Sequence, residues 1–477
     1  MRYLSTRDPG PLPATHTFED VLLGGLAEDG GLYVPADLPA LDGAALGALA
    51  DLPYAELAAR LLARFAGDSF GEAELWDLTG RAYSNFRHAA VAPLVQLDEK
   101  LWLLELFHGP TLAFKDLALQ LVGLMFDRVL ARRGEQVTIV GATSGDTGSA
   151  ALAACRDRAA LDIFMLYPQG RISEVQRRQM TTLDAANAYA LAIEGTFDDC
   201  QDIVKALFAD AVLRRDINLS AVNSINFARV AAQIVYYFAA ALALGAPARQ
   251  VSFSVPTGNF GNVYAGHLAR ALGLPIGHLV IGTNANDILA RYLTSGTMAI
   301  APVVPSLSPS MDIQVASNFE RLLFELKGRN GAAVAAALLA FRKTGALPED
   351  EPAWRGAQAL FCGHRVDDAL TLATLADTYR RSGLLIDPHT AVAVAAARAE
   401  LAEDPDAAPI VALATAHPAK FPDAVERATG LRPPVPPALA EIADKREHIT
   451  TLPNDAGAVA RFVRAHARRT RPNRGAA

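Results

Sequence analysis

The residue with the clearest chemical potential is Lys115, which lies in the segment HGPTLAFKD at residues 108–116. Its neighbours Phe114 and Leu117 are apolar, and an apolar setting lowers the pKa of a lysine. The neutral amine is a nucleophile that attacks carbonyl carbons. The sequence around Lys115 therefore predicts a lysine that bonds covalently to a carbonyl compound.

Two glycine-rich segments follow this lysine, and both are suited to binding anions. They are GATSGDTG at residues 141–148 and TGNFGN at residues 257–262. Each follows a predicted strand and precedes a predicted helix, an arrangement in which backbone N–H groups can point at an anion. A reactive amine together with a phosphate-binding loop is the combination that a pyridoxal-phosphate enzyme requires.

Hydroxyl groups in the first loop indicate which anion it would bind. Thr143, Ser144 and Thr147 add side-chain donors to the backbone amides, and this set suits a carboxylate. The spacing of glycine and serine differs from the GxSxG nucleophile elbow, which disfavours a serine hydrolase. Helix capping by Thr143 or Asp146 is the alternative structural interpretation.

The second loop, TGNFGN, has the strand–turn–helix order that holds a phosphate. It matches neither the Walker pattern GxxxxGK[ST] nor the dinucleotide pattern GxGxxG. A simple strand-to-helix turn with a helix cap is the structural alternative for this segment.

A third polar cluster, NSINFAR at residues 223–229, precedes a long apolar segment that is predicted to be helical. Arg229 near the start of that helix is disfavoured by the helix dipole unless an anion is present. Together with Ser224 and Asn226, its guanidinium donors would suit a phosphate ester. An ordinary surface salt bridge is the competing interpretation.

The segment LATAHPAKF at residues 413–421 follows the last predicted strand and places Thr415 where that strand would end. Ligands of open α/β sheets bind at such carboxyl ends. His417 is a candidate catalytic base, and a histidine that starts a helix or packs in the core is an equally good explanation.

Composition limits the remaining possibilities. A chain of 477 residues with 51% hydrophobic and 20% charged residues is globular and long enough for two or three domains. A net charge of -7 argues against nucleic acid as the main partner. The cysteines, Cys155, Cys200 and Cys362, are widely spaced without a CxxC pair, so we expect no disulfide framework, no metal site and a cytoplasmic location.

Segments at the two ends and in the middle bear on location. The first twenty residues lack the apolar core of a secretory signal. Residues 230–248 are long and apolar enough to suggest a membrane span, but they contain Gln233 and end with Gly245 and Pro247. A buried helix is therefore favoured. The basic tail at residues 468–477 is predicted to be disordered.

Strand and helix patterns alternate from residue 101 onward, which predicts an α/β fold with mostly parallel sheets covered by helices. Residues 198–214 read as one helix, and residues 331–381 as a helix-rich section. We expect four parts: an N-terminal domain at 1–94, a large cofactor-binding α/β domain at 95–135 and 222–435, a small α/β domain at 136–221, and a C-terminal extension at 436–477 with a basic tail.

Five ordered motifs, HGPTLAFKD, GATSGDTGSAA, NSIN-x-AR, PTGNFGN and ATAHPAKF, resemble threonine synthase of the long, bacterial and fungal type. The likeness extends to GLAEDGGLYVP near the start, to SPSMDIQVASNFERLLFE, and to LPNDAGAVARFV near the end, so it spans nearly the whole chain. The resemblance implies a fold-type II pyridoxal-phosphate enzyme, with the tryptophan synthase β-like architecture of two open sheets. It also implies an N-terminal helical unit and conversion of O-phospho-L-homoserine and water to L-threonine and phosphate.

The resemblance also implies roles for individual residues. Lys115 would bond to the cofactor aldehyde, Thr415 would hydrogen-bond the pyridine nitrogen, and Asp146 would lie near the 3-oxygen of the cofactor, where many relatives have asparagine. The cofactor phosphate would be held by Gly258, Asn259, Phe260, Gly261 and Asn262. The substrate carboxylate would be bound by Thr143, Ser144 and Thr147, and the substrate phosphate by Ser224, Asn226 and Arg229.

Other functions remain open at this point. A related phospho-lyase would release 2-oxobutanoate and would share every motif above. A non-catalytic protein that merely binds the cofactor is disfavoured because Lys115 and both anion loops are intact. A generic serine or threonine dehydratase would not need the cluster that contains Arg229. We expect a small-molecule substrate, no nucleic-acid or membrane partner, and a monomer or homodimer.

Overall fold

A computed structural model describes residues 1–10, 13–220, 224–404 and 406–468. These residues contain thirteen strands. The strands are β1 (Tyr3–Ser5), β2 (Tyr33–Pro35), β3 (Leu94–Gln96), β4 (Leu101–Glu105), β5 (Val137–Ala142), β6 (Leu161–Pro168), β7 (Ala188–Glu194), β8 (Leu219–Ser220), β9 (Val251–Pro256), β10 (Ile276–Thr283), β11 (Phe361–Arg365), β12 (Ile410–Ala414) and β13 (Thr450–Pro453).

Helices connect most of these strands. The α-helices are α1 (Phe18–Gly24), α2 (Gly43–Gly47), α3 (Tyr54–Ala66), α4 (Glu72–Tyr83), α5 (Lys115–Arg133), α6 (Asp146–Cys155), α7 (Glu174–Thr181), α8 (Phe197–Ala209), α9 (Ala211–Ile217), α10 (Phe227–Ala243), α11 (Gly261–Ala271), α12 (Ile288–Ser295), α13 (Phe319–Leu326), α14 (Gly331–Thr344), α15 (Glu351–Gln358), α16 (Asp368–Ser382), α17 (Pro388–Glu403), α18 (Pro422–Thr429), α19 (Pro437–Ala443) and α20 (Ala456–His466).

The chain divides into two compact units. Unit 1 comprises Met1–Val21, Leu26–Phe114 and Ser224–Pro434. Unit 2 comprises Leu22–Gly25 and the described residues within Lys115–Asn223 and Val435–Ala477. This division groups the start of α5 and the C-terminal region with the small sheet, whereas the four predicted domain boundaries stay a prediction.

Unit 1 is built on a six-stranded sheet with the order β11-β10-β9-β12-β4-β3. Every neighbouring pair is parallel except β3 with β4. Helix α17 packs against β9, β10 and β12 and is buried along most of its length. The apolar strands and this alanine-rich helix bury one continuous core, as expected for strands covered on both faces.

Unit 2 contains a five-stranded, wholly parallel sheet with the order β13-β7-β6-β5-β8. All eight residues of β6 are buried, which explains why residues 163–168 are apolar, while the carboxylate of Asp162 is paired with Arg468. Strand β13 and helix α20 come from the C-terminal region, and Val459 and Val463 of α20 lie in the core of this unit. The predicted C-terminal extension therefore contributes a strand to the small sheet.

One element prediction was wrong, and another was correct but incomplete. The single helix expected at residues 198–214 is two helices, because the Asp210 carboxylate accepts hydrogen bonds from the N–H groups of Val212 and Leu213 and so caps α9. The helix-rich section at 331–381 also contains strand β11, which forms an edge of the larger sheet beside β10.

The expectations for location and for the tail have different outcomes. Helix α10 is almost entirely buried, and no helix in the described ranges is long and apolar enough to cross a membrane. The predicted disordered tail begins at Arg468, which is ordered by hydrogen bonds of 2.8 and 2.6 Å from its N and Nε atoms to Asp162. Residues 469–477 of that tail lie outside the described residues.

Candidate active site

The carboxyl ends of two neighbouring strands in unit 1 carry predicted site residues. Strands β9 and β12 are adjacent and parallel, so they end at the same edge of the sheet. The TGNFGN loop, residues 257–262, follows β9, and Thr415 follows β12. This edge is where open α/β sheets bind ligands.

The TGNFGN loop has a constrained backbone. Phe260 has a φ of 65°, a left-handed conformation that is costly for a residue with a side chain. Its ring is buried and packs against Phe319 and Phe361, with centroids 5.5 and 5.7 Å away. The aromatic packing therefore fixes the loop immediately before α11, which begins at Gly261 and presents its first N–H groups at this end of the helix.

A buried pair on α13 and its N-cap holds this loop and the NSINFAR segment. The Asn318 amide nitrogen donates to the carbonyl oxygens of Asn259 and Ser224, at 3.0 and 3.1 Å. Arg321 bonds to Asn318 and donates to the carbonyl of Ile225 at 2.5 Å. Both side chains are fully buried. The two loops are thus tied to one another through a single asparagine–arginine pair.

Close backbone approach explains the first glycine of the loop. A Cβ atom on Gly258 would lie 2.9 Å from the carbonyl oxygen of Ser310, which is a rigid backbone atom. Ser310 is itself fixed, because its N–H donates to Nε2 of the buried His389, whose Nδ1 bonds to Asp387 at 2.7 Å. Any side chain at Gly258 would displace the loop.

The two polar atoms of the Asn262 side chain differ in their hydrogen bonding. Its Oδ1 accepts hydrogen bonds of 2.6 and 2.8 Å from the hydroxyls of Tyr236 and Tyr237. The buried Nδ2 has no hydrogen-bond partner among the described residues. A buried donor without a partner is costly, so this nitrogen favours an acceptor supplied by a ligand.

Arg229 is buried in the first turn of α10. The helix is capped by the Asn226 side chain, which accepts from the Ala228 N–H at 3.0 Å. Nε and Nη1 of Arg229 have no hydrogen-bond partner within the described part of the chain, and burial lowers its pKa to about 10. A desolvated guanidinium at a positive helix end is a strong site for an anion. The predicted surface salt bridge is therefore excluded for Arg229.

Thr415 is buried, and its carbonyl accepts the N–H of Phe114, the residue before Lys115, at 2.8 Å. His417 accepts the Ala419 N–H at 3.1 Å and so caps a 3-10 turn at Pro418–Lys420. Burial lowers the pKa of His417 to about 4. Its geometry favours the turn-starting explanation over that of a catalytic base.

Unit 2 contains Lys115 and the GATSGDTG loop. The Nζ atom of Lys115, the first residue of α5, is 3.9 Å from Oδ2 of Asp146, the first residue of α6. Both side chains are largely buried, at 11% and 4% exposed. The other carboxylate oxygen of Asp146 accepts from the Gln176 side chain at 3.0 Å. The lysine and a carboxylate are therefore close neighbours in a shielded position.

The side chain of Thr143 shapes its own loop. Its Oγ1 accepts the N–H groups of Gly145 and Gly148 at 3.0 and 2.8 Å. Ser144 is exposed and Thr147 is half-buried. The hydroxyl of Thr143 therefore has the structural role of capping its own loop. Ser144 and Thr147 lie on the same loop without that role.

Comparison with known proteins supplies the family. The family described as “Threonine synthase N terminus” matches residues 2–83, “Pyridoxal-phosphate dependent enzyme” matches residues 87–353, and “Threonine synthase, C-terminal” matches residues 390–463. A threonine synthase from Pseudomonas aeruginosa is 54% identical over 473 residues, which cover 99% of this chain and 100% of that one. The chain belongs to the threonine synthase family.

Solved structures of threonine synthases have the same fold. The pyridoxal-phosphate-bound enzyme from Brucella melitensis is 49% identical and superposes with a TM-score of 0.94, covering 98% of this chain and 100% of that one. Threonine synthase from yeast is 39% identical, with a TM-score of 0.92 and 98% coverage of both chains. The predicted fold class, a fold-type II pyridoxal-phosphate enzyme, is confirmed.

The residues of this threonine synthase family member fit the cofactor, and the prediction of pyridoxal phosphate is confirmed by the family match. Gly258 lets the loop backbone lie close to the backbone of Ser310, and the buried Nδ2 of Asn262 favours an acceptor. Lys115 supplies the shielded amine. The donor set and the amine are those that a phosphate-bearing aldehyde requires.

Sequence reasoning did not find the positioning residues Asn318 and Arg321. They lie within the segment SNFER, which was noted for its resemblance but not for its chemistry. Their spacing of three residues at a helix start is compatible with an ordinary capping and surface pair. Only the packing shows that both side chains are buried and bonded to loop carbonyls.

Proposed function

We propose that the chain catalyses the conversion of O-phospho-L-homoserine and water to L-threonine and phosphate, the last step of threonine biosynthesis, with pyridoxal phosphate as cofactor. The observation that carries this proposal is the buried guanidinium of Arg229, whose Nε and Nη1 lack hydrogen-bond partners among the described residues. A phosphate ester matches those donors in charge and geometry. Membership of the threonine synthase family supports the same reaction.

In this proposal, the backbone and side chains of residues 258–262 hold the cofactor phosphate at the start of α11, and Thr415 hydrogen-bonds the pyridine nitrogen. Lys115 would hold the cofactor covalently, and Asp146 would lie near the 3-oxygen of the cofactor. The constrained backbone of the TGNFGN loop supports the first role, since a fixed loop keeps its donors aimed without reorganisation. The 3.9 Å approach of Asp146 to Lys115 supports a shared role for that pair.

Pyridoxal phosphate, when bound, supplies an electron sink for the negative charge that develops at the substrate α-carbon. The Nζ atom of Lys115 removes and returns the proton at that carbon, with Asp146 stabilising its charged form. Arg229, with Ser224 and Asn226, binds the substrate phosphate and neutralises its charge as it departs in the β,γ-elimination and replacement.

We further propose that the GATSGDTG loop binds the substrate carboxylate. Ser144 and Thr147 would donate their hydroxyls, together with backbone N–H groups at the start of α6. Thr143 would contribute by fixing the loop, because its own hydroxyl bonds to Gly145 and Gly148. The predicted small-molecule substrate follows from these roles. The monomer or homodimer state, the absence of a nucleic-acid partner and the cytoplasmic location stay predictions.

Product analysis tests the reaction directly. Purified holoprotein supplied with O-phospho-L-homoserine is expected to release phosphate and L-threonine in equal amounts, because water replaces each phosphate that leaves. Chromatography of amino and keto acids would be run beside a phosphate assay. Release of 2-oxobutanoate in place of threonine would identify a phospho-lyase instead. Absence of phosphate release would contradict both enzymes.

The phosphate-loop role predicts a specific loss of cofactor. Gly258→Ala should raise the dissociation constant of pyridoxal phosphate by about 10- to 100-fold, the equivalent of one charge-assisted hydrogen bond. The reason is that the added Cβ would lie 2.9 Å from a backbone oxygen and displace the loop. Gly261→Val should act in the same direction, since even its Cβ would approach Asn318 to 3.2 Å. Equilibrium dialysis measures retention.

Gly43→Ala is the matched control for this prediction, because a Cβ at Gly43 would meet no atom of the described residues within 4 Å. At saturating cofactor, the KM for the substrate should change less in Gly261→Val than the dissociation constant of the cofactor does. Wild-type cofactor affinity in both loop variants would show that the TGNFGN segment is a simple strand-to-helix turn and does not hold the cofactor phosphate.

A further inference from the structure

A cluster of metal-ligating side chains lies in unit 1. Its elements differ from β9 and β12, the strands that end in the TGNFGN loop and at Thr415. His278 belongs to β10, Cys362 to the edge strand β11, and Glu400 to α17. One ligand atom from each of the three residues lies within 4.8 Å of the other two. These residues are separated by at least 38 positions in the sequence, so no short motif reveals them.

Sheet register and helix packing bring these side chains together. Cys362 pairs with Val280 of β10 in the parallel ladder, and His364 pairs with Gly282. Residues two apart on a strand share a face, so Cys362 and His364 project to the same side. Helix α17 packs against both β10 and β11, which places Glu400 against that side.

Glu400 is the centre of the cluster. One carboxylate oxygen is 2.5 Å from Nδ1 of His278, and the other is 3.3 Å from Nε2 of His364. The Cys362 thiol also hydrogen-bonds this carboxylate. The carboxylate is only 9% exposed and is surrounded by nitrogen and sulfur ligands.

The charge around Cys362 also favours a cation. Two carboxylates, those of Glu400 and Glu403, lie near this thiol. A bound cation would neutralise those carboxylates and convert the thiol to a thiolate. The side chain of His278 is 58% exposed, which gives an ion access from solvent.

We propose that His278, Cys362 and Glu400 form a binding site for a divalent cation of the zinc class. A nitrogen, a sulfur and a carboxylate oxygen are ligands that zinc accepts in tetrahedral sites, with the fourth position left to water. Magnesium and calcium prefer oxygen ligands alone and are excluded by this donor set. His364 acts as the outer partner that orients Glu400.

Binding proceeds by ligand exchange. The hydrogen bonds that His278 and Cys362 make to Glu400 are replaced by bonds to the metal, and the Cys362 proton passes to the buffer as the metal–sulfur bond forms. The Nδ1 proton of His278 also passes to the buffer, and the ring binds as the neutral tautomer that carries its proton on Nε2. The ion joins the edge strand β11 to β10 and α17. This proposal differs from the expectation, based on cysteine spacing, that the chain lacks a metal site, and that expectation stays a prediction until the binding experiment is done.

The test uses chelator-treated holoprotein titrated with Zn²⁺, Co²⁺ or Mg²⁺. We expect one Zn²⁺ per chain, no comparable binding of Mg²⁺, and with Co²⁺ a sulfur-to-metal charge-transfer band together with tetrahedral d–d bands. Cys362→Ser, His278→Gln and Glu400→Gln should each weaken Zn²⁺ binding by more than the about 10- to 100-fold typical of losing an outer partner. Cys362→Ser should also lose the charge-transfer band.

Matched controls separate the cluster from general effects. His448→Gln removes an exposed histidine elsewhere, and Cys200→Ser removes a buried thiol; both should keep wild-type Zn²⁺ affinity. Threonine formation and the thermal unfolding temperature report whether each variant is folded. Wild-type Zn²⁺ affinity in Cys362→Ser, or equal binding of Mg²⁺ and Zn²⁺ by the wild type, would overturn the proposal.

A measurement on the unmodified chain covers the case in which a variant does not fold. Zn²⁺ should protect Cys362 from alkylation in the wild type, and peptide mass analysis locates the modified thiol. Mg²⁺ should give no protection. Alkylation of Cys362 at the same rate with and without saturating Zn²⁺ would also overturn the site.

Discussion

Lys115→Ala is expected to lose detectable formation of threonine from O-phospho-L-homoserine. Proton transfer by a positioned side chain contributes about 10²- to 10⁴-fold to a rate, and the variant also loses the covalent attachment of the cofactor. The shielded position of Lys115 next to the Asp146 carboxylate supports its assignment to this role. The measurement combines steady-state turnover with borohydride reduction, which fixes the cofactor to its lysine for peptide mass analysis.

Lys205→Ala is the control for this experiment, since Lys205 is exposed and bonds only to the nearby surface residue Asp202 among the contacts described. It should keep wild-type turnover and cofactor attachment. A Lys115→Ala protein that still carries reduced cofactor on another lysine, at wild-type turnover, would show that the assignment is wrong. So would a wild-type protein without bound pyridoxal phosphate.

Arg229→Ala is expected to lower kcat/KM for O-phospho-L-homoserine by about 10- to 100-fold or more, the equivalent of a charge-assisted hydrogen bond. Both constants should change, because the guanidinium serves the bound ester and the departing phosphate. Arg229→Lys should recover part of the loss, since an ammonium keeps the charge without the planar fork. Free phosphate should inhibit the wild type competitively and the alanine variant much less.

Stability measurements distinguish this role from a structural one. The guanidinium is buried, and its Nε and Nη1 lack protein partners in the described ranges, so its removal also removes an uncompensated desolvation cost. The phosphate-free variant should therefore unfold near the wild-type temperature, while the stabilisation by added phosphate should shrink. Arg215→Ala, at an exposed position, is the control. Full activity and full phosphate sensitivity in Arg229→Ala would remove the main support for the proposed substrate.

Much of the fold could be predicted because its central strands are buried on both faces. Strand β12 and residues 163–168 of strand β6 have continuous apolar sequences that exclude most alternatives. Strand β11 was not predicted because it lies at a sheet edge and carries glycine, histidine and arginine, so it lacks that pattern. The break at Asp210 was missed because a single capping carboxylate ends one helix and starts the next without glycine or proline.

The residues of the candidate site also fall into two groups, those that could be predicted from the sequence and those that could not. Lys115 and the two glycine loops could be predicted because local sequence alone makes them unusual. Asn318 and Arg321 could not, because their function depends on carbonyl oxygens that are distant in sequence and become neighbours only in the folded chain. The cluster around Glu400 was missed for the same reason: its ligands come from three elements, and cysteine spacing carries no information about histidine and glutamate partners.

The shared asparagine has a thermodynamic consequence. One nitrogen of Asn318 donates to the carbonyl of Asn259 in one anion loop and to that of Ser224 in the other, so neither loop can shift without weakening the bond that fixes its neighbour. In the proposed function, a displacement of the loop after β9 would therefore also affect the Ser224 carbonyl just before α10. By linkage, any effect of the cofactor phosphate at residues 258–262 on an anion at Arg229 would be returned by the same factor. The affinity measured at either proposed anion site would thus depend on whether the other is occupied.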